Sequence, residues 1–91
     1  MKTTRLTMAQ LYRLVAVAKH GNVTIAAEDL HMSPPALHIS IRGAESVMGY
    51  QMFNRSIKRS SSMTINKEGE RVVELAKKLI VIAREIERLD E

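Results

Sequence analysis

Cysteine is absent from the 91 residues, so no disulfide framework, zinc ribbon or thiolate nucleophile is available. The fold has to rest on packing alone, which suits a reducing interior. Long apolar runs are missing as well. The longest, Leu14 to Ala18 and Leu79 to Ala83, hold five residues each, far short of a membrane span or a signal-peptide core. Together these absences predict a soluble, cytoplasmic protein that is not exported and has no membrane partner. Gly21, Gly43, Gly49 and Gly69 are too dispersed for a phosphate-binding loop, and no serine has a base and an orienting acid in local context. His20, His31 and His38 lack the paired spacing that puts metal ligands on one face. The expectation is a chain with no catalytic centre, metal, cofactor or small-molecule site, and therefore not an enzyme.

What is present is the composition of a small folded domain, 45% hydrophobic and 26% charged, at a length that fits one compact core and not two. The net charge of +4 is unevenly placed. Residues 1–66 carry eight basic against three acidic side chains, and residues 67–91 carry six against seven. A basic front suggests a part that meets a polyanion, and a near-neutral tail suggests one that serves solubility or association. The expected organisation is thus a binding domain over 1–66 and a closing helix over 67–91.

The periodicity predicts mostly helix. Met8, Leu11, Leu14, Val15 and Ala18 follow a helical repeat, with Thr7 and Gln10 spaced as a capping box and His20-Gly21 as the stop. Thr24 is expected to cap a helix of about two turns containing Ala26, Ala27 and Leu30. Ser33 precedes Pro34-Pro35, so its hydroxyl can cap a third helix whose prolines sit where no intrahelical donor is needed. Leu37, Ile41, Ala44 and Met48 form its buried stripe, with Val47 beside it, and Gly49 ends it. Pro35, His38, Ile39, Arg42 and Ser46 face the other way. Gly43 inside this helix costs about 1 kcal/mol relative to alanine unless something must approach closely there.

From Tyr50 to Ile65 the helical period is lost, and Met52-Phe53 and Met63-Thr64-Ile65 read as two short strands around a polar loop. Asn66 then caps a long helix from Lys67 to about Leu89, with Glu68 and Glu70 complementing its dipole. That helix carries two apolar stripes. Leu75, Leu79, Ile82, Ile86 and Leu89 repeat every four and three residues, beside Val72, Val73, Ala76, Ile80 and Ala83. One stripe can cover the domain while the other meets a partner.

A short helix with small alanines, a tight turn at Met32-Ser33 and a longer capped helix form a helix-turn-helix pattern. The first helix braces the second, leaving the amino-terminal half of the second free to enter a major groove, with Ser33 placing backbone amides near a phosphate. Arg55, Lys58 and Arg59 cluster in the following loop, where a wing places them along a phosphate ridge or in a minor groove.

From Leu11 to Gly69 the chain resembles the amino-terminal winged helix-turn-helix of LysR-type transcriptional regulators. The resemblance rests on Ala26-Ala27, Leu30, Ser33, Pro35-Ala36-Leu37, Ile41-Arg42, Glu45, Gly49, Met52-Phe53, Arg55 and Glu68-Gly69. It implies a mainly α winged helix-turn-helix with a short two-stranded β wing and a long C-terminal dimerisation helix. It also implies a homodimer that binds double-stranded DNA, joined through Leu75, Leu79, Ile82, Ile86 and Leu89. DNA contacts are expected from Ser33, Pro34, Pro35, His38, Ile39, Arg42, Arg55, Lys58 and Arg59. The pattern departs from the family at Pro34, where glutamine is frequent, at His38 and Ile39, where serine and arginine are common, and at Ala44, usually leucine. Pro35 and Ile39 are suited to thymine methyl groups, and His38 and Arg42 to polar contacts with bases or phosphates. The loop after Phe53 is about three residues longer than usual, which is similar to the winged domain of molybdate-responsive regulators. A protein-interaction module using the Pro35 and Ile39 patch is the alternative from another class.

Overall fold

The computed structural model describes residues 3–55 and 62–90. Among them the chain runs α1 (Met8–His20), α2 (Val23–Asp29), α3 (Pro34–Met48), β1 (Phe53–Arg55), β2 (Met63–Ile65) and α4 (Lys67–Glu87). The mainly α winged architecture expected from the sequence is therefore present.

The capping box of α1 closes in both directions. Thr7 Oγ1 accepts the Gln10 N–H at 3.1 Å, and Gln10 Oε1 accepts the Thr7 N–H at 2.9 Å. At the other end Gly21 adopts φ 63° and donates its N–H to Val17 at 2.8 Å, a left-handed cap that glycine takes without strain. Leu11, Leu14 and Val17 turn into the core, where α1 packs against α2, α3 and α4.

The start of α2 corrects the expected cap. Asn22, not Thr24, has the extended backbone and accepts the Ile25 N–H on its side-chain oxygen at 3.0 Å, which leaves Thr24 inside the helix. The asparagine carboxamide reaches the third amide on from directly behind Gly21, so the helix starts as soon as the preceding turn is complete. Ala26 and Ala27 are buried, and the lack of bulk there lets α3 cross closely.

The first strand is also shifted. Met52 was expected in it, yet its N–H goes to Glu45 Oε2 at 2.8 Å and its carbonyl accepts the Asn66 N–H at 2.9 Å. Both backbone groups are thereby taken from the ladder, and β1 begins at Phe53. The strands are antiparallel, with Phe53 opposite Ile65, Asn54 opposite Thr64 and Arg55 opposite Met63. Met63 N–H donates to Gly21 at 3.1 Å, tying the sheet to the turn between α1 and α2.

Asn66 caps α4 as expected, accepting the Gly69 N–H at 2.8 Å. The helix ends at Glu87 rather than near Leu89. Arg88 and Leu89 instead donate three residues back, to Glu85 and Ile86, a tighter last turn of the kind helices adopt where tertiary packing has ceased. Ala76 and Ile80 are buried, with Val72 and Val73 packed against the core. Among the described residues no helix is long and apolar enough to cross a membrane.

Candidate nucleic-acid interface

The outward face of α3 is prepared by the way its inner face is anchored. Leu37, Ile41 and Ala44 are each at most 1% exposed, whereas Ile39, two positions from Leu37, is 72% exposed. The 3.6-residue period separates these positions by more than a quarter turn, so the same packing that buries one set holds the other out. Pro34, Pro35, Arg42 and Ser46 are also exposed and His38 is half-buried. Arg13 Nη1 on α1 donates to Ser40 Oγ at 3.1 Å, adding a directional tie to the apolar anchoring.

The turn between α2 and α3 is held by its own backbone. Leu30, His31 and Met32 donate to Ala26, Glu28 and Ala27 at 3.0, 3.2 and 3.0 Å. His31 takes φ 55°, a left-handed conformation that glycine would adopt more cheaply and that histidine tolerates better than branched residues. Ser33 then caps α3, accepting the Ala36 N–H at 3.2 Å.

That cap occupies amides at the start of α3. Pro34 and Pro35 have no N–H, the Ala36 N–H goes to Ser33 Oγ, and the Leu37 N–H goes to the Ser33 carbonyl at 3.0 Å. The Ala36 and Leu37 amides are consequently engaged within the opening turn of α3. The Ser33 hydroxyl accepts from Ala36 and keeps its own hydrogen as a donor at that end.

Arg55 enters as the last residue of β1, opposite Met63. Lys58 and Arg59 lie outside the described residues. Along α4 and the turn after it, Leu75, Leu79, Ile82, Ile86 and Leu89 are 47, 44, 51, 65 and 82% exposed, an apolar stripe beside the buried Ala76 and Ile80. Leu75 and Leu79 also line an apolar groove of about 410 Å³ with Leu6, Met8, Met48 and Val72.

Residues 8–70 match the family model of the bacterial regulatory helix-turn-helix proteins, lysR family. The chain belongs to the LysR family. It is 33% identical over 75 residues to the HTH-type transcriptional regulator CfxR of Cupriavidus necator, which covers 82% of this chain and 23% of the relative. To the HTH-type transcriptional regulator CbbR of Cereibacter sphaeroides it is 36% identical over 77 residues, covering 85% and 24%. The chain thus spans about a quarter of the length of these relatives. Among solved structures, the CbnR_DBD-DNA complex aligns with a TM-score of 0.82 at 27% identity over 91% of this chain and 93% of that one. The BenM_DBD/benA site 1 DNA complex aligns at 0.85 and 25% identity, covering 92% and 94%. The LysR assignment replaces the molybdate-responsive alternative.

Sequence reasoning about this LysR-family chain named the outward face of α3 but gave Glu45 no role beyond the resemblance. The signal was present: Glu45 falls four residues after Ile41 and eight after Leu37, on the buried side, where a carboxylate requires a donor. It is 7% exposed and accepts the Met52 N–H. Asn22 and the Arg13–Ser40 bond were likewise not anticipated.

Proposed function

We propose that this chain binds double-stranded DNA sequence-specifically as a cytoplasmic transcriptional regulator, without catalytic activity of its own. The observation that carries this reading is the division of α3 into a side fixed in the core and a side left open, with Ile39 72% exposed. The CbnR_DBD and BenM_DBD structures that align over nine-tenths of the chain are DNA complexes, which supports the same conclusion.

In this reading the amino-terminal half of α3 enters the major groove. Pro35 and Ile39 meet thymine methyl groups, while His38 and Arg42 make polar contacts; Pro34 adds apolar contact but no hydrogen bond. Ser33 donates its hydroxyl hydrogen to a phosphate, and Arg55, Lys58 and Arg59 supply positive charge along the backbone or minor groove. Residues 1–66 form the DNA-reading unit and 67–91 the linker helix. Leu75, Leu79, Ile82, Ile86 and Leu89 join two copies, and a two-fold dimer then reads two related half-sites.

Selection of bound duplexes from a random pool is expected to return a two-fold symmetric sequence. Titration of that duplex at 50 and 200 mM salt is expected to show affinity falling by at least about a hundredfold if roughly four or more phosphates are neutralised. A nearly salt-independent affinity, or no enrichment, would favour the protein-interaction reading of the Pro35 and Ile39 patch.

A further inference from the structure

One residue between the recognition helix and the linker helix is held from both sides. Glu45 near the end of α3 accepts the Met52 N–H at 2.8 Å, and the carbonyl of that same Met52 accepts the Asn66 N–H at 2.9 Å. Asn66 completes the connection: its Nδ2 donates to the Gln51 carbonyl at 2.9 Å while its Oδ1 caps α4 through Gly69 at 2.8 Å. Gly69 fits so closely that a Cβ there would run into the Met52 carbonyl and lie 2.7 Å from Ile65 Cγ1. The Met52 side chain is wholly buried, so this junction does not slide as a surface loop would.

The choice of an acid at position 45 is informative. An apolar residue would continue the stripe of Leu37, Ile41 and Ala44, and burying a carboxylate costs free energy that packing alone would not demand. What the carboxylate adds is direction. The packing of α1 against α3 and α4 is mostly apolar, with the Arg13–Ser40 bond as a tie between α1 and α3, whereas the charge-assisted hydrogen bond from the Met52 N–H to Glu45 fixes a distance and an angle on the path from α3 to α4.

We infer that Glu45 is a positioning residue. Through the Met52 peptide it sets the angle between α3 and α4, and with it the separation and tilt at which a dimer presents its two recognition helices. The inference rests on the reading of α3 as the DNA-contacting helix and α4 as the dimer helix. A looser angle leaves each half-site contact intact and lowers the effective concentration of the second copy at its own half-site.

Two measurements test it. The first does not involve DNA: because the chain has no native cysteine, spin labels at S46C and R84C report the α3–α4 distance within one chain when labelled protein is diluted into unlabelled. A narrow distribution is expected for the otherwise unmodified chain, a broader one for E45L and E45M, and a narrow one again for E45Q, whose amide oxygen still accepts the Met52 N–H. E45M removes the same acceptor with an unbranched side chain closer in shape to glutamate, so it decides the matter if E45L does not fold.

The second measurement is duplex binding as half-site spacing is varied. E45L is expected to lose roughly tenfold at the preferred spacing and about twofold or less on a single half-site, because only the coupled second contact is weakened. An unchanged distance distribution in folded E45L, or in E45M should E45L fail to fold, would overturn the inference. If the distribution broadens as expected but unmodified protein shows no spacing preference, the positioning role stands and the dimeric DNA reading falls.

Discussion

Methyl groups added at two helical glycines are expected to act in opposite directions. At Gly69 a Cβ meets the Met52 carbonyl and Ile65 Cγ1, neither of which can yield without moving the sheet or the α4 cap. Gly69→Ala is expected to cost about 2 kcal/mol or more, within the upper range for overpacking, read as a lowered thermal midpoint. At Gly43 the nearest neighbour is Gln10 Nε2 at 3.6 Å, an ordinary contact. Gly43→Ala is therefore expected to stabilise by about 1 kcal/mol through helix propensity, and a fall in the midpoint would contradict this. The sequence shows both as glycines within or near the start of helices. Which of them has room depends on the Met52 peptide, brought against Gly69 from just before β1. At the reading face, Ile39→Ser is expected to change stability by no more than about 0.5 kcal/mol, because the residue is largely exposed, while altering base preference. Uniform weakening on all duplexes would place Ile39 outside the base contacts.

At the scale of elements, the proposed pairing through α4 has a testable register. Lys78 and Glu85 flank the stripe of Leu75, Leu79, Ile82 and Ile86 on the same side. In an antiparallel pair, the register that sets Leu79 against the partner's Ile82 and Leu75 against the partner's Ile86 also puts Lys78 beside the partner's Glu85, twice by symmetry. It brings Ala76 near the partner's Ala83, where little bulk opposes close approach. A parallel pair would instead set Glu85 against the partner's Asp90, two like charges. Lys78 also lies 3.7 Å from Glu74, which Arg71 holds at 3.0 Å, so part of its charge is already engaged within the helix. E85K is thus expected to weaken dimerisation roughly tenfold by sedimentation, since two exposed pairs turn from attraction to repulsion at about 0.5 kcal/mol or more each. K78E/E85K is expected to restore it. Stronger association of E85K would mean the parallel arrangement. The two stripes of α4 were legible as periodicity, and the structure assigns them: Ala76 and Ile80 go to the core, while Leu79 and Ile82 stay outside.

For the whole molecule the expectation concerns charge. All of the excess positive charge lies in residues 1–66, and a protein that neutralises phosphates with it releases counterions on binding. Arg59→Ala is expected to weaken binding to all duplexes alike and to reduce the slope of log K against log salt by about 0.9. A change confined to one base position would remove it from the backbone role.

Much of the architecture follows from short-range spacing. The Thr7–Gln10 box, the Ser33 and Asn66 caps, the stops at Gly21 and Gly49 and the inner stripe of α3 all depend on residues three or four apart, and such distances are fixed once a helix forms. The exposure of Ile39 follows from the same periodicity as the burial of Leu37. Spacing did not reveal that Asn22 displaces Thr24 as a cap, or that Met52 leaves the ladder for Glu45 and Asn66. Those outcomes turn on which of several local donors and acceptors reach one another first, and on segments brought together from up to about twenty residues apart along the chain. A linear pattern records which groups need partners; only the packed chain brings a given carboxylate, peptide and cap within bonding distance.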